Sequence, residues 1–315
     1  MINSIFQKLK KPFLAMMPMA GITDSAFRQI VKKTGADIVY SEMVSASGLF
    51  FEAEKTIKLV KFSRPEQPII IQLFGKDPLH FRKAAFFITK NFKPDGIDIN
   101  FGCPARKVLK GGGGALLMND IKKAREIIKE TLAGTNLPVS IKIRAAVKNT
   151  DAISFLKKIK DLPISAVVIH GRTLNQGFSG KVNYEIIKKA VSLLKIPVIA
   201  NGGIIAPENA KEMLEKTNAQ GLGIARGALG NPFIFQEIKD FLKTGKYQKK
   251  SFEEMKKIIL EHSRLAYKLK GKHGIVEMRK HLLWYVRGLK NACLLRQKLC
   301  QVKSLKEIEE IISGI

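Results

Sequence analysis

The sequence predicts an α/β fold, a TIM (β/α)₈ barrel followed by a small C-terminal all-α helical bundle domain. Two observations lead to this prediction. Over the first three-quarters of the 315-residue chain, eight short apolar runs alternate with amphipathic helical stretches, and eight buried strands with intervening helices match the count of such a barrel. After about Thr244 the pattern is helical only, which indicates a separate bundle of helices.

The apolar runs have the length of buried strands. In chain order they are Phe13–Met19, Asp37–Met43, Ile69–Phe74, Ile97–Phe101, Val139–Ile143, Ala166–Ile169, Val198–Ala200 and Leu222–Ala225. The helical stretches between them include Ser25–Lys33, Pro78–Asn91, Ile121–Leu132, Tyr184–Leu194 and Ala206–Lys216. Asp24 and Asn183 are suitable N-caps, and Gly35 and Gly134 are suitable C-caps. A doubly wound sheet is the alternative, but its usual glycine fingerprint is absent after the first run. The pattern therefore favours the barrel.

A polar tract over residues 245–250 has the composition of a linker. We therefore expect the barrel over residues 1–243 and the helical domain over residues 251–315. The helices expected in the second domain are Phe252–Leu269, ended by Gly271 and Gly274, then Ile275–Gly288, and a last one after Ser304, where Glu307 is placed for a capping box.

Three basic residues within Glu277–Asn291 have the spacing of a helix. Lys280, Arg287 and Lys290 are expected to share one helical face, which would suit contact with phosphate groups. A solvated surface stripe accounts for the same spacing equally well.

Charge is the main clue to a partner. The chain has 55 Lys and Arg against 27 Asp and Glu, a net charge of +28. A basic excess of this size favours a polyanionic partner, most often nucleic acid. Because lysine greatly outnumbers arginine, a lysine-rich proteome would produce the same charge without any RNA.

The cysteine content indicates a reducing compartment. The three cysteines, Cys103, Cys293 and Cys300, are odd in number and form no CxxC pair, so neither a disulfide framework nor a metal site is predicted. No apolar run reaches the length needed to cross a membrane. We therefore expect a cytoplasmic protein with no metal and no membrane association.

Cys103 follows the fourth apolar run, in the segment Gly96–Pro104. A free cysteine is commonly a small buried hydrophobic residue, but the carboxyl ends of barrel strands also carry the catalytic groups. From this position alone, a structural role and a catalytic role of Cys103 are equally good interpretations.

Other polar side chains occur at corresponding strand ends, where they would meet at the barrel mouth. They are Gln72 in the third run, Lys142 and Arg144 in the fifth, and His170 and Arg172 at the sixth. Because a buried charge is costly without a partner, structural ion pairs are the alternative for each residue singly. Together with Cys103, they favour an active site.

Glycine-containing turns after the last two strands predict an anion site. Asn201-Gly202-Gly203 follows the seventh strand, and Ala225-Arg226-Gly227 follows the eighth. TIM barrels commonly bind phosphate at these two positions, on backbone N–H groups that glycine leaves accessible. Arg226 could add a charge-assisted hydrogen bond.

These segments together resemble the tRNA-dihydrouridine synthase family over nearly the whole chain. The motifs that carry the resemblance are Pro18–Asp24, Gln72–Gly75, Asp98–Pro104, Lys142–Arg144, His170–Thr173, Asn201–Gly203, Arg226–Pro232 and Met278–Tyr285. Their order and spacing make the match specific.

The resemblance implies a flavin-containing barrel with a helical tRNA-binding domain that reduces uridine to 5,6-dihydrouridine in the D-loop of tRNA. FMN would supply the hydride after reduction by NADPH, and Cys103 would donate the proton. The positions that match the FMN site are Pro18, Met19, Ala20, Gln72, Lys142, His170, Asn201, Gly202, Gly203, Ala225 and Arg226. The candidate substrate-binding residues are Asn100, Arg144, Arg172, Lys280 and Arg287. The protein is expected to act as a monomer.

Two alternatives remain open. One is an FMN-barrel oxidoreductase that acts on a small molecule, such as a dihydroorotate-type pyrimidine. The other is a phosphate-binding barrel or RNA-binding module without redox activity. Tight tRNA binding would argue against the first, and a yellow, FMN-binding protein against the second.

Overall fold

The structure, a computed structural model, describes residues 4–315 of the chain. Eight parallel strands form a closed barrel in which each strand pairs with the next along the chain and the last pairs with the first. The strands are β1 (Phe13–Met16), β2 (Ile38–Ser45), β3 (Ile69–Phe74), β4 (Gly96–Phe101), β5 (Val139–Arg144), β6 (Ala166–His170), β7 (Val198–Asn201) and β8 (Gly221–Ile224). Closure is made by the β1–β8 pairing, with Phe13 opposite Gly221. The predicted barrel is confirmed.

Helices surround the barrel. They are α1 (Ile5–Lys8), α2 (Ser25–Lys33), α3 (Ala46–Phe50), α4 (Glu54–Val60), α5 (Pro78–Asn91), α6 (Arg106–Lys110), α7 (Ile121–Ala133), α8 (Ala152–Lys157), α9 (Tyr184–Leu193), α10 (Pro207–Thr217) and α11 (Ile234–Thr244). Asp24 caps α2 by accepting the N–H of Phe27, and Asn183 caps α9 in the same way. Gly134 is the C-cap of α7, while Gly35 follows the C-cap of α2 with a φ of 110°. A short hairpin over residues 146–151, absent from the sequence prediction, follows β5.

Alternate side chains along each strand belong to two apolar layers, one inside the barrel and one outside it. One set of side chains, including Ala15, Ile70 and Ile199, fills the barrel interior. The other set, including Leu14, Ile71 and Ile141, packs outward against the helices. Because both faces are covered, the strands have the nearly continuous apolar sequence that parallel sheets require.

The C-terminal region is helical, as predicted, with different boundaries. Its helices are α12 (Phe252–Lys270), α13 (Lys272–Tyr285), α14 (Ala292–Leu299) and α15 (Leu305–Ser313). The break falls at Gly271, with a φ of 58°, whereas Gly274 lies inside α13. A Cβ on Gly274 would be 2.1 Å from the carbonyl oxygen of Ala266, so this glycine allows α12 and α13 to pack closely. The helix α14 was not predicted.

The prediction of one basic face over Lys280, Arg287 and Lys290 is wrong. Helix α13 ends at Tyr285, so Arg287 and Lys290 follow it in a turn. Gly288 has a φ of 86° in that turn, a backbone conformation that glycine adopts without strain. Only Lys280 lies on the helix.

The helical region packs against α2, which begins on the mouth side of the barrel because it follows the carboxyl end of β1. Ala26 and Ile30 of α2 share a buried cluster with the C-terminal helices. Phe27 lies against two buried histidines, with ring centroids 5.5 Å from His262 and 4.9 Å from His281. This packing fixes the C-terminal helices beside the barrel mouth. No helix within residues 4–315 is long and apolar enough to span a membrane.

Candidate active site

A cavity of about 590 Å³ opens at the carboxyl ends of the barrel strands. Its volume is within the range of small-molecule and cofactor pockets. The predicted site residues that line it are Pro18, Met19, Ala20, Gln72, Asn100, Cys103, Lys142, Arg144, His170, Arg172, Asn201, Gly202, Gly203, Ala225 and Arg226. Lys280 and Arg287 are not among its lining residues. The structure therefore brings together the whole predicted FMN set, the thiol and three of the five predicted substrate residues.

Strand register places the polar side chains next to one another. Gln72 pairs with Asp98 across β3 and β4, and Asn100 pairs with Lys142 across β4 and β5. His170 lies between Arg144 and Asn201 at the ends of β5, β6 and β7. Residues separated by tens of positions in the chain thus form one continuous polar surface.

Hydrogen bonds join Asp98, Gln72 and Asn100 into a chain that ends at Cys103. Gln72 Nε2 donates to Asp98 Oδ2 at 2.7 Å, and Asn100 Nδ2 donates to Gln72 Oε1 at 2.7 Å. Asn100 Oδ1 accepts the backbone N–H groups of Gly102 at 3.0 Å and Cys103 at 2.8 Å. Burial raises the pKa of Asp98 to about 6. Because this series of hydrogen bonds ends on the backbone N–H of Cys103, it fixes the turn that carries the thiol.

The Asn100 amide is fully engaged inside the protein. Besides Gln72, its Nδ2 approaches the Met43 sulfur at 3.1 Å, so both N–H bonds have partners. The prediction that Asn100 holds a substrate base therefore requires that the amide exchange one of these partners for the base.

Cys103 lies in the wall of the cavity with 6% of its surface exposed. Burial raises the pKa of its thiol above the ordinary value of 9.0, against the opposing effect of an N–H hydrogen bond from Ala105 and the charges of Arg144 and Lys142. The group is therefore a neutral thiol at neutral pH, the form that can donate a proton. A resting thiolate nucleophile would need the opposite shift.

Lys142 reaches into the cavity from β5, and its Nζ donates to Asn201 Oδ1 at 3.2 Å. Asn201 in turn donates to the carbonyl oxygen of Gly223 at 2.8 Å. Burial, and then the charge of Arg144, lower the pKa of Lys142 to about 8. No carboxylate within residues 4–315 forms a salt bridge with Lys142, so this cation is available to an anionic ligand.

His170 is neutral. Burial lowers its pKa to about 2, reinforced by the charges of Lys142, Arg144, Arg172 and Arg226. An uncharged imidazole presents one donor and one acceptor nitrogen, so His170 can hydrogen-bond a ligand without adding charge.

The far end of the cavity combines close backbone approach with positive charge. Gly202 has a φ of 118°, and a Cβ there would lie 2.7 Å from His170 Cδ2, so only glycine fits this turn. Arg172 and Arg226 line the same region, and the Arg226 guanidinium lies 4.8 Å from the centroid of the Phe178 ring. Backbone amides and two arginines of this kind suit a phosphate group.

Arg144 has a structural part in this site. Its guanidinium donates to the carbonyl oxygens of Gly102 at 2.8 Å, Thr173 at 2.9 Å and Gly177 at 3.2 Å. It therefore ties the loop that carries Cys103 to the loop after β6. A direct contact with substrate, as predicted for Arg144, requires the donors left over from these bonds.

The sequence interpretation gave no site role to several large apolar residues that line the cavity, among them Met43, Phe178, Ile205 and Trp284. Trp284 lies in the motif Met278–Tyr285 of the C-terminal region, but nothing in its spacing indicates that it reaches the barrel. Among residues 4–315 no group of three or more His, Cys, Asp or Glu side chains could hold a metal ion.

Comparisons with known proteins identify relatives of this chain. The family model described as Dihydrouridine synthase matches residues 14–313. The chain is 34% identical over 299 residues to "Probable tRNA-dihydrouridine synthase 1" of Synechocystis sp., covering 94% of this chain and 84% of that protein. It is 35% identical over 277 residues to "tRNA-dihydrouridine synthase B" of Shewanella oneidensis, covering 87% and 86%.

Solved structures share the fold at low sequence identity. A 6-hydroxypseudooxynicotine amine oxidase from Pseudomonas geniculata is similar with a TM-score of 0.57 and 13% identity, over 83% of this chain and 53% of that one. A histamine dehydrogenase from a Rhizobium species gives 0.52 and 14%, over 80% and 48%. This chain spans about half the length of either, and at 13% and 14% identity the likeness shows the fold alone.

Proposed function

This chain belongs to the dihydrouridine synthase family, and we propose that it reduces uridine to 5,6-dihydrouridine in the D-loop of tRNA, with FMN as cofactor and NADPH as reductant. The family match over residues 14–313 supports the reaction class. The observation that carries the proposal is the single cavity in which a neutral buried thiol, Cys103, faces the same space as the cation Lys142 and the arginine-lined end.

The residues present fit a flavin mononucleotide. Met17, Met19 and Met43 offer apolar, adaptable surface for a planar ring system. Lys142, whose Nζ donates to Asn201 Oδ1 and forms no salt bridge among the described residues, suits an edge of the ring that carries negative charge. The Gly202–Gly203 turn and Arg226 suit the phosphate.

Saturating the 5,6 double bond of uracil requires a hydride on one carbon and a proton on its neighbour. Bound FMN, recharged by NADPH, supplies the hydride. The S–H of Cys103 gives its proton to the adjacent carbon, and the resulting thiolate regains a proton from solvent. Its raised pKa keeps the thiol protonated before the reaction, and Arg144 and Lys142 stabilise the transient thiolate.

The remaining residues orient and bind. Lys142 Nζ stabilises negative charge at the site, and neutral His170 hydrogen-bonds the cofactor. Asn100 positions the Cys103 turn through its Oδ1 and contacts the uracil edge when it releases one internal partner. Arg172 lines the same cavity, within reach of the substrate.

The tRNA is proposed to bind across both parts of the chain, the catalytic barrel over residues 1–243 and the helical domain over residues 251–315. The net charge of +28 supports a polyanionic substrate, and Lys280 and Arg287 are proposed phosphate contacts. Because the cavity lies at the barrel mouth, the target base must turn outward from the RNA to enter it. Three free cysteines suit a cytoplasmic protein, which we propose acts as a monomer.

The test is reconstitution. Purified protein is incubated with FMN, NADPH and an unmodified tRNA transcript, and dihydrouridine is mapped in the product. The expected result is dihydrouridine at D-loop positions, dependent on NADPH and on folded tRNA. Controls replace the tRNA with free uridine or with dihydroorotate. A flavin-loaded protein that leaves tRNA unmodified but oxidises or reduces the free pyrimidine would overturn the proposal in favour of a small-molecule enzyme.

A further inference from the structure

We propose that Trp284 is a stacking platform for a nucleobase of the RNA substrate at the mouth of the cavity. The helical region thereby contributes a residue that touches the substrate beside the catalytic pocket, in addition to surface charge. This inference rests on the proposed function, because it takes the ligand at the mouth to be RNA.

The position of Trp284 is the first argument. Trp284 belongs to α13, yet it lines the cavity of the barrel. Its neighbours on the helix, Leu282 and Tyr285, are buried in the core of the helical region at 0% and 4% exposure. The side chain of Trp284 is half-buried and faces the cavity. A residue that served only the helical core would face the other way.

The structure also holds Trp284 rigidly. The buried ring of His281 contacts its indole edge to face, with centroids 5.4 Å apart and an interplanar angle of 90°. Gly230, in the loop after β8, lies against its backbone, where a Cβ would be 2.5 Å from the Trp284 carbonyl oxygen. A ring that packs against His281, on a backbone that lies close to Gly230, loses little entropy when a base stacks on it.

The surroundings of Trp284 have the chemistry of a nucleotide site. Phe178 and Ile205 line the same cavity and are 57% and 70% exposed, so apolar surface faces solvent at the mouth of a strongly basic protein. Lys280 lies one helical turn before Trp284, on the same face of α13. Its Nζ is 3.7 Å from the position that a Cβ on Gly21 would take, in the loop after β1. A ring and a cation on one helix face match a base and its phosphate.

The first experiment compares Trp284→Ala, Trp284→Phe and Tyr267→Ala in the flavin-loaded protein. Tyr267 is an exposed aromatic residue of α12 that does not line the cavity, so its variant is the matched control. Base–aromatic stacking predicts that Trp284→Ala loses about 5- to 150-fold in tRNA affinity. Trp284→Phe should keep most of the affinity, and all three variants should keep the wild-type flavin content. Unchanged tRNA affinity in Trp284→Ala would overturn the inference, whether or not that variant keeps its flavin.

A second measurement needs no variant. Trp284 is the only tryptophan in the chain, so its emission reports on this position alone. In the flavin-loaded wild type, tRNA should quench the emission, whereas polyphosphate, which has charge but no bases, should not. Equal responses to both would contradict stacking even if Trp284→Ala fails to fold. If the wild type forms no dihydrouridine in tRNA, the proposed function fails. If it does so and Trp284→Ala matches it in affinity and turnover, only the stacking inference fails.

Discussion

The proton-donor role of Cys103 predicts a specific pattern of losses in Cys103→Ala. The substitution removes one sulfur and leaves the backbone of the turn in place. Cys103 N–H still donates to Asn100 Oδ1 at 2.8 Å, and the Cys103 carbonyl still accepts the N–H of Ala115 at 3.2 Å. The cavity wall should therefore keep its shape, and the flavin content and tRNA affinity should equal those of the wild type.

The loss of folding free energy and the loss of reaction rate expected for Cys103→Ala differ greatly in size. Removing one buried atom the size of a methylene costs about 1 kcal/mol of folding free energy, which leaves the protein folded. Removing a positioned general acid costs about 10²- to 10⁴-fold in rate. Catalysis should thus fall by orders of magnitude in a variant whose stability barely changes.

The assay is single-turnover oxidation of prereduced, flavin-loaded protein by tRNA, followed by flavin absorbance and by dihydrouridine content. Cys293→Ala and Cys300→Ala remove exposed cysteines and serve as matched controls with wild-type rates. A Cys103→Ala rate within about 3-fold of wild type, well short of the loss expected for a general acid, would refute the proton-donor role. A loss of flavin in that variant would instead show that the thiol supports the cofactor site.

Two further predictions follow from the charges. Lys142→Met, which removes the cavity cation, should reduce flavin retention and slow flavin reduction by NADPH about 10²-fold; wild-type values for both in stopped-flow measurements would contradict its role. Buried His262 has a pKa lowered to about 4 by burial from an ordinary 6.5, so its neutral form stabilises the fold fully above pH 6.5. That contribution, on the order of 3 kcal/mol, is lost as the pH falls from 6.5 towards 4. Urea unfolding across this range should show a weaker pH dependence in His262→Phe than in wild type. His170 and His281, whose pKa values burial also lowers, contribute to the remaining pH dependence, and exposed His273→Gln is the control.

The local pattern of the sequence was sufficient for the secondary structure of the barrel. Three elements were predicted with their observed bounds: the strand Ile69–Phe74 and the helices Ser25–Lys33 and Pro78–Asn91. Burial on both sides of a strand, or on one side of a helix, produces a pattern of apolar residues over a short stretch of sequence. The same reasoning failed at Gly274, which was expected to end a helix. There glycine serves a contact with Ala266 on the neighbouring helix, and a contact between helices has no local signature.

The residues of the candidate site could also be predicted only in part from the sequence. Strand-end positions in the sequence were enough to select Gln72, Cys103, Lys142 and His170, since the carboxyl ends of barrel strands converge wherever the barrel closes. The sequence carried no sign that Asn100 is tied internally between Gln72 and the Cys103 backbone, since those bonds depend on strand register.

The sequence by itself therefore determined the barrel, the helical C-terminal region and a lone thiol among polar strand ends. Tertiary structure decided that the thiol is buried with a raised pKa, and that Trp284 reaches the mouth of a barrel formed by residues earlier in the chain. Short-range apolar periodicity encodes which faces are buried. Protonation and the approach of Trp284 depend on packing between distant segments, such as α2 against the C-terminal helices, and such packing exists only once the chain has folded.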